Sequence, residues 1–153
     1  MALTGTFERS LDDKNRIAVP KPLREDFSLT TTSSTPTDEV IQLYVAPGQD
    51  KSLSLYSKTG FDALAQRLAS SSSNRAEVLN FQRLLFSRAE KVELDGQGRI
   101  RIPERLAEFA QLKREVLLFG VQDHAEIWDK QVWTEFEQRH AARFDEMAQA
   151  AFA

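Results

Sequence analysis

A chain of 153 residues, 41% of them hydrophobic, has enough apolar material for one shared core and too little for two independent domains. The absence of cysteine removes disulfides, thiolate metal sites and cysteine nucleophiles, and two isolated histidines do not make a zinc site, so no metal and no cofactor is expected. A formal charge of −3 argues against holding nucleic acid by bulk electrostatics, so any such contact has to be local.

In chain order, Thr6-Phe7-Glu8 alternates into Leu11, and Arg16-Ile17-Ala18-Val19 alternates again, which predicts two strands around a turn and a hairpin over residues 6–20. Pro20 stops the second strand and opens a short helix through Phe27. The small polar residues and proline of 30–38 favour an exposed loop. Val40–Val45 reads as a buried strand, and Leu53-Ser54-Leu55-Tyr56 as its hairpin partner. Phe61, Leu64 and Leu68 fall on one helical face, and Ser70–Asn74 interrupts it. Asn74 is placed to cap a helix through Val78, Leu79, Leu84 and Leu85.

The second half repeats this order. Leu11-Asp12-x-x-x-Arg16-Ile17-x-Val19-Pro20-x-x-Leu23 returns 83 residues later as Leu94-Asp95-x-x-x-Arg99-Ile100-x-Ile102-Pro103-x-x-Leu106. Six of thirteen positions are identical, where roughly one would match by chance. Leu55-Tyr56-Ser57-Lys58 and Phe61 match Ile127-Trp128-Asp129-Lys130 and Trp133 at an offset of 72, so the first copy carries eleven extra residues, assigned to the 30–38 loop. Pro103–Phe109 predicts a short helix, Glu115–Phe119 and Ala125–Trp128 a second hairpin, and Val132, Phe136 and His140 one face of a tail helix from Lys130 to Ala151. The expected fold is α+β, divided as a first repeat (1–60), a helical connector (61–88), a second repeat (89–130) and a C-terminal helix (131–153).

The sharpest chemical features are the two Asp-x-x-x-Arg turns, in which Arg can fork onto Asp. Asp12, Asn15, Asp95 and Gly98 are read as turn-fixing, because Asn and Gly are the residues that most readily accept positive φ. Taken alone, the pair either only fixes its turn or lets the hairpin tip present Arg16 and Lys14 to DNA, since a two-stranded ribbon fits the major groove and Arg is the usual partner of guanine; on the second reading Arg16 and Lys14 are the leading DNA contacts, with Arg9, Lys21 and Arg99 behind them. Residues 9–24 hold five basic and two acidic side chains, +3, whereas 92–107 hold three of each, favouring the first copy as phosphate binder. Asp12-Asp13 becomes Asp95-Gly96 in the second copy, so a catalytic carboxylate pair is not kept. Asp123-His124-Ala125-Glu126 reads as a solvated turn rather than a metal site, and His140 as surface. Trp128, Trp133, Phe136 and Phe144 read as core or subunit-interface aromatics. No Gly-rich phosphate loop, nucleophile elbow or triad spacing is present, so no enzyme and no small-molecule substrate is expected. No apolar run approaches the ~20 residues of a membrane span, and Met1–Gly5 lacks signal-peptide character; a cytoplasmic protein without a membrane partner is expected.

The doubled Asp-x-x-x-Arg turns, Gly5-Thr6-Phe7 near the start and Glu126-Ile127-Trp128-Asp129 late in the chain together resemble the MraZ family of bacterial transcriptional regulators, over nearly the whole chain. Each half also resembles the swapped-hairpin AbrB/MazE-like DNA-binding unit. The resemblance implies two units pairing in one chain as a pseudo-two-fold β-barrel with flanking helices. It implies a nucleoid-associated homo-oligomeric ring that binds tandem short repeats in double-stranded DNA upstream of the division and cell-wall gene cluster, including its own promoter. Asn15 stands where the family usually has glycine, and the 30–38 loop is longer than usual. An antitoxin-like or scaffold protein with the AbrB-like fold is the other reading.

Overall fold

The computed structural model describes residues 2–29, 41–71 and 75–153. The expected loop at 30–38, Val40 and the Asn74 cap lie outside the described residues.

Each half supplies the same elements: β1 (Thr6–Ser10), β2 (Arg16–Ala18), α1 (Lys21–Leu29), β3 (Gln42–Pro47), β4 (Leu53–Ser57) and α2 (Lys58–Ala69), then, after α3 (Arg75–Arg88), β5 (Glu90–Glu93), β6 (Arg99–Arg101), α4 (Glu104–Phe109), β7 (Glu115–Val121), β8 (His124–Asp129) and α5 (Lys130–His140). The fold is α+β with an antiparallel sheet, as the hydrophobic periodicity predicts.

The pairing differs from the expectation in an instructive way. β1 and β2 flank a tight turn yet do not pair with each other: β1 pairs with β7 of the other half, and β5 with β3. Leu11 donates its N–H to the Arg114 carbonyl (2.8 Å) and Leu94 to that of Ile41 (3.0 Å), carrying each chain away from its own turn. The six-stranded sheet runs β1-β7-β8-β4-β3-β5, an order that maps onto itself when the copies are exchanged. β2 and β6 form a separate two-stranded ribbon. The ladders thus make an open sheet plus a ribbon, and the expected barrel is not closed by hydrogen bonds. Between the two layers lies one core built from both copies, including Ile17, Leu23, Leu43, Leu55, Ile100, Leu106, Leu118 and Ile127. Exchanging strands lets two units too small to bury their own faces share one apolar interior.

The weaker second repeat match is also structural. Ser57 caps α2 by accepting the Gly60 N–H (3.0 Å), and Asp129 caps α5 by accepting those of Gln131 (3.1 Å) and Val132 (3.3 Å). Tyr56 meets Phe61 edge-on in one copy, as Trp128 meets Trp133 in the other. The tail is not one helix: a 3-10 turn at Ala141–Arg143 separates α5 from α6 (Phe144–Phe152), with no Gly or Pro to mark the break. The helix expected through Val78, Leu79, Leu84 and Leu85 is α3; Leu79 and Leu84 are exposed on it, and Leu85 is buried against the Tyr56–Phe61 cluster. Phe144 is also exposed, whereas Trp128 is buried.

Candidate nucleic-acid interface

The ribbon decides which side chains are available. In its register Arg16 lies opposite Arg101, Ile17 opposite Ile100 and Ala18 opposite Arg99. Ile17 and Ile100 are fully buried, so alternation along a strand turns their neighbours to the other face. Three arginines, Arg16, Arg99 and Arg101, therefore share the outward face of a two-stranded ribbon. The Val19 N–H donates to the Gly98 carbonyl (2.9 Å) and the Ile102 N–H to that of Asn15 (2.7 Å), so each end of the ribbon is closed by the other copy's turn.

The two turns are chemically the same device. Asp12 Oδ1 accepts the backbone N–H of Lys14 (2.9 Å) and of Arg16 (2.8 Å), while its Oδ2 accepts from Arg16 Nε (2.7 Å). Asp95 does likewise with Gln97, Arg99 and Arg99 Nε, each at 2.9 Å. These hydrogen bonds, the backbone bond from the arginine first, hold both carboxyls below the usual aspartate range against a smaller opposing effect of desolvation. Asn15 (φ 59°) and Gly98 (φ 74°) both take the left-handed conformation, which explains how asparagine stands in for glycine. Through Nε each aspartate orients its arginine. Arg16 and Arg99 are held alike, so nothing in this geometry distinguishes them.

Lys14 is exposed on the first turn, where the second copy has Gln97. Arg9, on β1, donates through Nη1 to the Glu8 carbonyl (2.8 Å) and lies 5.8 Å from the Phe7 ring centroid. Lys21, at the start of α1, faces Glu25 at 3.9 Å. Two cations escaped sequence reasoning. Arg101 belongs to the second copy by sequence but sits opposite Arg16 in space, so Lys14, Arg16 and Arg101 gather at one end of the ribbon; the alternation Arg99-Ile100-Arg101 was the available signal. Arg24, on α1, lies against the second copy's turn, with its Nη1 only 2.6 Å from where a Cβ on Gly98 would be. No sequence signal announces it.

His124 is not a solvated turn residue as expected. Its Nδ1 lies 2.7 Å from Asp123 and its Nε2 2.9 Å from Glu126, and the ring stacks on Tyr56. Burial alone would lower its pKa, but the hydrogen bonds to Glu126 and Asp123 outweigh burial and raise it. Among the described residues no group of three or more acidic, histidine or cysteine side chains is arranged to hold a metal, and no helix is long and apolar enough to cross a membrane.

Comparison with known proteins also divides the chain in two. The family model for MraZ protein, described as antitoxin-like, matches residues 2–84 and again 85–153. The chain belongs to the MraZ family. It is 36% identical to the transcriptional regulator MraZ of Corynebacterium urealyticum, over 97% of this chain and 96% of that one. It is 31% identical to that of Moorella thermoacetica and 30% to that of Syntrophomonas wolfei, each over 95% of this chain and 93% of the relative. These MraZ relatives are named as transcriptional regulators, and two MraZ repeats agree with the palindromic strand order.

Proposed function

We propose that the chain is a sequence-specific double-stranded-DNA-binding transcriptional regulator without enzymatic activity, working in the cytoplasm at the nucleoid. The observation that carries this reading is the ribbon face: Arg16 stands directly opposite Arg101 with Arg99 on the same outward face, and Asp12 and Asp95 hold Arg16 and Arg99 through Nε. A ribbon of this width enters the major groove, where Arg reads guanine O6 and N7. Arg16 and Arg101 are assigned to base edges; Lys14, Arg9 and Lys21 to phosphates; Arg99 to a weaker contact at the far end. Asp12, Asn15, Asp95 and Gly98 hold the turns that aim them. The division into repeats 1–60 and 89–130, a connector 61–88 and a terminal segment 131–153 remains useful for this assignment, although strand exchange makes the repeats one folding unit.

The targets are tandem short repeats upstream of the division and cell-wall gene cluster, the chain's own promoter included, engaged by a homo-oligomeric ring. Support for self-assembly comes from α6, none of whose residues is buried: Phe144 is 71% exposed, Met147 42% and Phe152 91%. A nine-residue helix with such a face is marginal in water unless something covers it. Many copies on tandem sites add avidity, so a net negative monomer can still hold DNA. A mobility shift with DNA from upstream of the protein's own gene tests the reading. Absence of a shift with an intact assembly rejects the regulator in favour of a scaffold.

A further inference from the structure

The second turn lacks the first turn's exposed lysine, Gln97 replacing Lys14, yet a cation of the first copy stands over it. Arg24 projects from α1 across the exchanged interface onto Gly98, its Nη1, Cζ and Nε lying 2.6, 2.9 and 3.1 Å from the position of a Cβ there. The residue equivalent to Arg24 in the second copy is Ala107, and it lines the same shallow depression as Asn15. The first copy thus sets a large side chain over the glycine turn, where the second has a small one lining a depression with asparagine. Packing alone does not account for an arginine in this place. Its Nε is enclosed and has no hydrogen-bond partner, and no carboxylate among the described residues lies within ion-pair distance of its guanidinium. By contrast Arg16 and Arg99 each rest Nε on an aspartate. With Nε shut off from solvent, an incoming anion is met by the two Nη groups, which are not among the enclosed unpartnered atoms.

We infer that Arg24 is a phosphodiester-binding residue, which, together with the Gly96–Arg99 turn of the other copy, forms a second backbone-phosphate site equivalent to that of Lys14. This rests on the DNA-binding reading above. It gives each end of the ribbon one phosphate anchor: Lys14 on its own turn, Arg24 delivered across the copies. Gly98 keeps the guanidinium seated, because any Cβ would displace it.

The test is the salt dependence of binding to own-promoter DNA by the full chain, comparing wild type with Arg24→Gln, Arg24→Met and the double variant Arg24→Gln/Gln97→Lys. Each neutralised phosphate contact contributes about 0.9 to the slope of log affinity against log salt. Arg24→Gln is expected to flatten the slope by about 0.9 for every copy engaged. Gln97→Lys is expected to restore that slope by returning a cation to the same turn. Arg24→Met keeps an apolar stem on the glycine turn and serves if the glutamine variant is unstable; it is expected to flatten the slope equally. A wild-type slope in either single variant, with binding intact, overturns the inference while leaving the DNA-binding reading standing. Wild-type protein that binds no DNA overturns that reading and the inference with it.

Discussion

Two glycines two residues apart in the second turn should respond oppositely to the same substitution. Gly98 has φ 74°, and a Cβ there would stand 2.6 Å from Arg24 Nη1; Gly96 has no atom within 4 Å of its would-be Cβ and no positive φ. Placing alanine in the left-handed region costs about 1–2 kcal/mol. The Arg24 contact adds little to this, since the far end of a flexible side chain can move aside. For a chain of this length each kcal/mol shifts Tm by about 2–4 °C, so Gly98→Ala should unfold about 2–8 °C earlier. Gly96→Ala should be unchanged or slightly more stable, since it narrows the unfolded ensemble at a permissive site. Thermal unfolding followed by circular dichroism, at equal protein concentration, measures both. Equal losses in the two variants, or none in Gly98→Ala, would refute the argument that the turn conformation, rather than glycine as such, is what the sequence supplies there.

Lys14→Ala should weaken all DNA sequences alike and flatten the salt slope, measured by titration across salt, because a phosphate contact carries no sequence information. Phe144→Ser/Phe152→Ser should shrink the assembly seen by native mass spectrometry while leaving the far-ultraviolet spectrum of the core intact, since neither ring is buried. The pH dependence of stability should have two edges. Asp12 and Asp95 are lowered, so their contribution is complete above the ordinary aspartate pKa of 3.8 and is lost as pH falls through the depressed values. His124 is raised above 6.5, so its contribution is complete below 6.5 and is lost as pH rises through the higher folded value. Asp12→Ala/Asp95→Ala should blunt the acid edge and His124→Gln the alkaline one in denaturant melts.

Much of this was legible locally. Period-two alternation placed β2 and the repeat placed β6, the Asp-x-x-x-Arg spacing placed the carboxylate on its own arginine, and the residue types at 15 and 98 announced a positive φ. What a local pattern does not record is which strand a strand will pair with. Thr6–Ser10 and Arg16–Ala18 read as a hairpin, but their partners are β7 and β6 of the other copy. For the same reason, summing charge by copy misplaced Arg101, which belongs with Arg16 and Lys14, and gave no hint that Arg24 serves the second turn. The exposure of Leu79 and Leu84 is likewise not written in the sequence, because a helix that exposes apolar groups has the same composition as one that buries them.

The outward arginines of the β2–β6 ribbon are the proposed readers of sequence. The most direct test of that role is the ratio of affinities for own-promoter DNA and for the same DNA shuffled, at one salt concentration, in wild type, Arg16→Ala and Arg101→Ala. Wild type should prefer the promoter strongly, and each variant should lose about 1–3 kcal/mol of that preference per engaged site while keeping its assembly state. An undiminished ratio in both variants would contradict the account.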